Sequence, residues 1–107
     1  MFRHVVMVCF NPETTDEQKE ALRAGLATMP EQIPEVRAYR FGHDAGLTAD
    51  NYDFVVVADF EDQDGFLAYR DHPAHQKLVV DLLRPIVARR AAVQHEWRMG
   101  LPSDLPG

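Results

Sequence analysis

Cysteine is almost absent from this chain of 107 residues, which has a single one, Cys9. One thiol cannot form an internal disulfide, and it cannot supply a cage of cysteine ligands for a metal ion. Long apolar runs are also missing, because none approaches the roughly 20 residues that a membrane-spanning helix needs. The first residues lack the basic and apolar regions of a signal peptide, so a reducing cytoplasm is the expected location.

Basic residues are scarce as well, with 11 Lys and Arg against 17 Asp and Glu and a formal net charge of −6. The only basic doublet is Arg89-Arg90. Nucleic acids and anionic membranes require clustered positive charge, so neither is an expected partner. Apolar residues make up 46 % of the chain and charged residues 26 %, which is typical of one packed globular domain.

The pattern of apolar residues predicts strands and helices in the order β-α-β-β-α-β. The predicted strands are 2–10, 36–41, 52–60 and 91–97, and the predicted helices are 15–29, 62–70 and 74–83. Thr15 and Gln18 have capping-box spacing at the start of the first helix, and Pro30 is expected to end it. This order predicts an α+β, ferredoxin-like fold in which a four-stranded antiparallel sheet carries helices on one face. The domain should span 1–98, followed by a loose tail at 99–107.

The first strand is apolar on both of its faces. One face carries His4, Val6, Val8 and Phe10, and the other carries Val5, Met7 and Cys9. Helices can cover only one face of such a sheet, so about five large apolar side chains would remain in water. Their exposure would forfeit about 7–15 kcal/mol, which is comparable to the stability of a whole domain. A homodimer that stacks two sheets face to face is the simplest solution; the alternative is that the C-terminal tail folds over this face.

The segment His72-Pro73-Ala74-His75 is the most distinctive local motif. Pro73 suits the first position of a helix and His72 suits the position before it, but nothing in the helix requires His75. The two imidazoles have no third ligand at a recognisable spacing, so no metal is expected. A phosphate-binding glycine loop is also missing, and the sequence therefore predicts no cofactor.

Two further residues could carry chemistry. His4 lies in an otherwise apolar strand face, where a histidine is commonly a hydrogen-bonded core residue but would also suit a general base. Tyr69, near the end of a predicted helix, is expected to be a partly buried aromatic whose hydroxyl finds a partner. Cys9 is interpreted as a small core residue rather than a nucleophile.

These segments resemble the stress-responsive α/β-barrel (Dabb) domain family over residues 2–97. The segments that carry the resemblance are His4-Val5-Val6, Tyr52-Asp53-Phe54-Val55-Val56-Val57, Phe60-Glu61-Asp62 and, above all, Tyr69-Arg70-Asp71-His72-Pro73-Ala74-His75. The resemblance implies a ferredoxin-like fold and a homodimer that closes into an α/β barrel. Most members of this family have no assigned reaction.

One branch of that family, similar to olivetolic acid cyclase, closes a linear polyketide by an aldol condensation. The resemblance implies that His75 acts as the general base, that Tyr69 donates to the developing enolate oxygen, and that His4 lines the same pocket. The chain departs from that branch at Phe54, where the cyclase pocket has a second strand histidine. It also has two charged residues directly after Tyr69.

Three hypotheses follow for the function. The primary interpretation is a homodimer that binds a small apolar or carbonyl-containing molecule between helices and sheet, without fixed chemistry. The alternative is a cofactor-free cyclase, isomerase or lyase, and the third is a structural protein with no site. The residues predicted to form the site are His4, Val6, Val8, Leu22, Leu26, Phe54, Tyr69, His72 and His75.

Overall fold

The computed structural model describes residues 1–98, which form a four-stranded sheet with helices packed on one face. The strands are β1 (Phe2–Phe10), β2 (Ala38–His43), β3 (Phe54–Phe60) and β4 (Val87–Glu96). The helices are α1 (Asp16–Ala27), α2 (Met29–Gln32), α3 (Gln63–Asp71) and α4 (Pro73–Leu78), which continues into a π-helical segment (Val79–Leu83). The predicted tail, 99–107, lies outside the described residues.

The strands lie in the spatial order β2-β3-β1-β4, and every neighbouring pair is antiparallel. The predicted ferredoxin-like arrangement is therefore confirmed. The two central strands, β1 and β3, are the ones richest in β-branched and aromatic residues, which favour the pleated conformation. None of the helices within residues 1–98 combines the length and the hydropathy required to cross a membrane.

The first helix begins as its sequence indicates. The hydroxyl of Thr15 accepts the backbone N–H of Gln18 at 3.1 Å, and the Gln18 side chain accepts the backbone N–H of Thr15 at 2.9 Å. The expectation that Pro30 ends helical structure is wrong, because α1 ends at Ala27 and α2 begins at once with Pro30 in its first turn. Proline lacks an N–H group, but first-turn N–H groups have no partner within the helix, so nothing is lost there.

Strand β4 begins at Val87, four residues before the predicted start at 91. The pairing with β1 is irregular at this point: Cys9 lies opposite Arg89, whereas Phe10 lies opposite Val87. The extra residue, Ala88, forms a β-bulge, so that Val87 lies on the same, inner face as Arg90. The Ala- and Arg-rich sequence has weak strand propensity, and pairing with β1 decides its conformation.

The core lies between the helices and the inner face of the sheet, which is the face that the helices cover. Its strand residues alternate along β1 and β3, as expected for a pleated strand. The buried cluster consists of Val6, Val8, Leu22, Leu26, Met29, Ile33, Phe54, Ala58, Phe60, Tyr69, Leu78 and Ile86.

The opposite, outer face of the sheet has no helix packed on it within residues 1–98. Its large apolar side chains are Val5, Met7, Val55, Val57 and Val93. Val5 lies directly between Val57 and Val93, so these three valines form a row across the sheet. Met7 is 38 % exposed and Val93 is 59 % exposed. The sequence thus predicted this second apolar face and its β1 residues Val5 and Met7 correctly, but it did not predict that Val93 of β4 joins them.

Candidate functional site

A cavity of about 810 Å³ lies between the helices and the inner face of the sheet. Its floor is formed by β1, β3 and β4, and its walls by α1, α3, α4 and the π-helical segment. The apolar lining residues are Val6, Val8, Leu22, Leu26, Phe54, Val56, Phe66, Leu78, Val79, Leu83, Val87 and Ala92. The polar lining residues are His4, Tyr69, Arg70, His75, Gln76, Arg84, Arg90 and Gln94.

Eight of the nine residues predicted for the site line this cavity. Three helices and two strands bring together the predicted polar trio of His4, Tyr69 and His75 with the five predicted apolar residues. His72 does not line the cavity. The imidazole Nδ1 of His72 instead accepts the backbone N–H of Ala74 at 3.0 Å and caps the N-terminus of α4.

Tyr69 lies at the inner end of the cavity and is only 3 % exposed. Its hydroxyl is 2.8 Å from the hydroxyl of Tyr39, a residue of β2 that does not line the cavity. Burial raises the pKa of Tyr69 to about 12, and the hydrogen bond from Tyr39 acts in the opposite direction. Either hydroxyl can donate in this pair. When Tyr39 donates, the hydroxyl proton of Tyr69 is available to an acceptor in the cavity.

His75 lies beside Tyr69, with 4.2 Å between the centres of the two rings. The Nδ1 atom of His75 is 3.1 Å from the backbone carbonyl of Arg70. A carbonyl only accepts, so this contact places the proton on Nδ1 and leaves a lone pair on Nε2. Burial lowers the pKa of His75, the hydrogen bond to Arg70 opposes this, and the charges of Arg90 and His72 lower it further. The imidazole is therefore neutral at pH 7.

His4 is 7 % exposed on the inner face of β1. Its Nδ1 atom is 2.8 Å from the side-chain amide nitrogen of Gln94, which can only donate, so the proton of the neutral ring is on Nε2. The ring packs against Phe66 at 4.7 Å between centres. Burial lowers the pKa of His4 to about 4, and the charges of Arg90 and His75 contribute. A group with this pKa is a weak base at pH 7 and serves better as a hydrogen-bond donor.

Sequence reasoning missed five polar residues that line the cavity, Arg70, Gln76, Arg84, Arg90 and Gln94, and also Tyr39, which contacts Tyr69 from outside the lining. Arg90 and Gln94 share the inner face of β4, opposite Val8 and His4 respectively. The basic doublet was the only available signal, and the strand alternation splits it, with Arg90 on the inner face and Arg89 on the outer face. No sequence pattern indicates that Tyr39 meets Tyr69, because the contact joins two elements 30 residues apart.

The two charges that follow Tyr69 neutralise each other. The guanidinium of Arg70 contacts the carboxylate of Asp71 at 2.8 and 3.1 Å on the surface. They do not place an unpaired charge in the apolar part of the cavity. Within residues 1–98, no three His, Cys, Asp or Glu side chains are grouped closely enough to hold a metal ion.

Comparison with known proteins gives one family match. The family model described as Stress responsive A/B Barrel Domain matches residues 2–96. A stress-response A/B barrel domain-containing protein of Arabidopsis thaliana is 27 % identical over 77 residues, which cover 69 % of this chain and 67 % of that protein.

Solved structures share the fold over most of the chain. A dimeric ferredoxin-like protein of unknown function from Thermobifida fusca is 43 % identical, with a TM-score of 0.83 and 90 % of each chain covered. A hydroxynitrile lyase from Passiflora edulis is 17 % identical, with a TM-score of 0.82, and covers 94 % of this chain and 96 % of its own. At 17 % identity, the similarity to the lyase shows that the two chains share a fold and shows nothing about a shared function.

Proposed function

The chain belongs to the stress-responsive A/B barrel domain family, and on that premise we propose that it binds a small, largely apolar molecule with a carbonyl group. The observation that carries this proposal is the cavity of about 810 Å³ in which Tyr69, His4 and His75 are set among apolar side chains. Binding sites for small molecules typically have about 300–1,000 Å³, apolar walls and a few convergent polar groups.

The polar groups favour a carbonyl oxygen as the part of the ligand that they recognise. Within residues 1–98, Tyr69 is hydrogen-bonded to Tyr39 and His4 to Gln94. When Tyr39 donates, each keeps one proton that its partner does not use. Donors without an acceptor in an apolar cavity favour a ligand that supplies an acceptor, because a buried donor left unpaired is costly.

The functional unit we propose is a homodimer formed through the outer faces of two sheets. The five large apolar residues of the outer face support it, because they would otherwise remain in water. The Thermobifida fusca relative, 43 % identical to this chain, is described as dimeric. The cavity lies on the other side of the sheet, so dimerisation would leave it accessible.

Ligand binding can be tested with 4-butylacetophenone, a neutral aryl ketone, as the probe in isothermal titration calorimetry. Ala92 lines the cavity on the inner face of β4, and Ala92→Phe is expected to weaken binding at least about tenfold by filling the space. Ala24→Phe is the matched control, because Ala24 is exposed on α1 and does not line the cavity. Equal affinity in the two variants, or no binding by the unmodified protein, would overturn the proposal.

The second candidate function is proton transfer without a cofactor, and the arrangement of His75 favours it. Its Nδ1 is held by the Arg70 carbonyl, which leaves the lone pair on Nε2, and its ring lies 4.2 Å from the ring of Tyr69 between centres. Nε2 would take a proton from the carbon next to a carbonyl. The electron pair of the broken C–H bond would form the C=C bond of an enolate while the π pair of the carbonyl moves to its oxygen, which Tyr69 would stabilise by hydrogen bonding.

Exchange of the α protons of 4-butylacetophenone in D2O, followed by NMR, tests this step directly. The protein is expected to accelerate exchange over buffer, and His75→Ala should remove most of the acceleration, a loss of about 100-fold. His95→Ala is the control, since His95 lies on the outer face of β4. Exchange that survives His75→Ala would exclude His75 as the base and leave ligand binding alone.

A further inference from the structure

Two arginines that form no ion pair within residues 1–98 line the cavity of a strongly acidic chain. Arg84 follows the π-helical segment, and Arg90 lies on the inner face of β4 opposite Val8. Within residues 1–98, neither guanidinium forms an ion pair with a carboxylate. The third arginine of the lining, Arg70, is neutralised by Asp71.

No Asp or Glu side chain of the described residues lines the cavity, although the chain has 17 of them. The charges on the cavity wall are therefore opposite in sign to the net charge of −6. A chain with this net charge repels small anions in general. The two arginines make the cavity a place where an anion would instead be attracted.

The position of Arg90 relates it to the polar groups of the site. Arg90 and Gln94 lie four residues apart on the same face of β4, about 13 Å along the strand, and Gln94 contacts His4. The charge of Arg90 also lowers the pKa of both His4 and His75, so both histidines lie within its electrostatic reach. The apolar residues Ala92, Val6 and Val8 lie between the two ends.

We propose that the cavity selects organic carboxylates: molecules whose anionic group contacts Arg90 and Arg84 while an apolar body reaches toward Tyr69 and His75. This inference rests on the proposed ligand-binding function and names the class of ligand. Guanidinium groups match carboxylates in geometry, and a charge-assisted hydrogen bond is about twice as strong as a neutral one.

The test compares two probes of equal shape, 4-butylbenzoate and 4-butylbenzamide, by isothermal titration calorimetry with the full chain at low ionic strength. The benzoate is expected to bind about tenfold more tightly than the benzamide, and Arg90→Gln should remove most of this preference. Affinity for the benzamide should change less than about twofold in the same variant. Added salt should reduce only the benzoate affinity, because an exposed charge pair is screened.

Arg89→Gln is the matched control, because it removes the same charge from the neighbouring residue on the outer face. Light scattering on each variant shows whether the oligomeric state has been kept. Equal affinity of the two probes, or an equal effect of Arg89→Gln and Arg90→Gln, would overturn the anion preference and leave ligand binding intact. Failure of both probes and of 4-butylacetophenone to bind would overturn the proposed function and this inference together.

Discussion

The two faces of the sheet are built from the same four strands, yet they present opposite arrangements of polar and apolar groups. On the inner face, single polar side chains are set among apolar neighbours, as His4 is, and His4 is hydrogen-bonded to Gln94. On the outer face, the apolar residues form the centre, and the ion pair between Arg3 and Asp59 lies at its border. Alternation along the strands separates the two sets.

This difference indicates two kinds of recognition. An apolar centre with a polar border is typical of a surface that packs against another protein. Isolated polar groups within an apolar cavity are typical of a small-molecule site, where they fix the orientation of the ligand. One sheet can thus serve as a subunit interface on one side and as the floor of a binding site on the other.

The largest expected effect comes from placing a charge in the centre of the outer face. Val93→Asp is predicted to destabilise the dimer by about 3 kcal/mol or more, because a carboxylate would be buried without a partner in each subunit. Size-exclusion chromatography with light scattering over a range of protein concentrations measures the dissociation.

Val80→Asp provides the control for this prediction. Val80 is 49 % exposed on the π-helical segment, and Val93 is 59 % exposed on the outer face. In an isolated chain the more exposed Val93 should tolerate the charge at least as well as Val80. If both variants remain dimeric, or if the unmodified chain is monomeric at low micromolar concentration, the outer face is not the interface.

The border of the outer face is tested by Asp59→Asn. Both carboxylate oxygens of Asp59 accept hydrogen bonds from Arg3, at 2.7 and 2.9 Å, and Asp59 is buried. Removing its charge is predicted to lower the free energy of unfolding by about 2 kcal/mol, as measured by urea denaturation at a fixed protein concentration.

Glu61→Gln is the corresponding control, since the ion pair between Glu61 and Arg37 is exposed. Its loss should change the free energy of unfolding by less than about 0.5 kcal/mol. If the two variants lose similar amounts of unfolding free energy, the buried ion pair of Asp59 stabilises the chain no more than the exposed pair of Glu61 does.

The inner face is tested by the pH dependence of stability. The pKa of His4 is about 4 in the folded chain, below its ordinary value of 6.5, so the unfolded chain binds the proton first as the pH falls. The contribution of the neutral His4 ring to the free energy of unfolding is fully present above pH 6.5 and is lost progressively as the pH falls toward 4. Urea denaturation should show a loss of about 2 kcal/mol between pH 7 and pH 5.

His4→Gln should remove most of that loss, whereas His95→Gln, on the outer face, should not. The two variants differ only in which face of the sheet loses its histidine. Identical pH profiles for His4→Gln and the unmodified chain would mean that His4 titrates normally and that water reaches it.

The smallest expected effect concerns the hydrogen bond between the two tyrosines. Tyr39→Phe removes the partner of Tyr69 at 2.8 Å and is predicted to cost about 1 kcal/mol of unfolding free energy. The affinity for 4-butylacetophenone should fall about two- to threefold, because Tyr69 becomes a weaker donor. Calorimetry and urea denaturation measure the two effects, with Tyr52→Phe as the control. Unchanged affinity would show that Tyr39 only stabilises the fold.

The fold could be predicted from the sequence because its signals are local. The capping box at Thr15 and Gln18 and the strongly β-branched β1 and β3 each indicate one element without reference to the rest of the chain. The start of β4 could not be predicted, because its Ala- and Arg-rich residues adopt a strand only through pairing with β1. The second helix, which begins at Met29, could not be predicted because Pro30 indicates a stop as readily as a first-turn residue.

The site could be predicted in part, and only where a motif or a strand face marked it. Tyr69, His75 and His4 were identified in this way, and the structure brings them to one cavity. His72 belongs to the same motif, but its imidazole is occupied by the backbone N–H of Ala74.

The sequence by itself determined which residues lie on each face of the central strands, since alternation along a strand is a property of the backbone. It also determined that one face would remain uncovered, because the number of helices is apparent from the pattern. Only the tertiary structure decided which distant residues meet. The contacts of Tyr69 with Tyr39 and of His4 with Gln94 depend on strand order, and the position of Val87 on the inner face depends on a bulge. These arise from long-range pairing, for which the local sequence carries no physical signal.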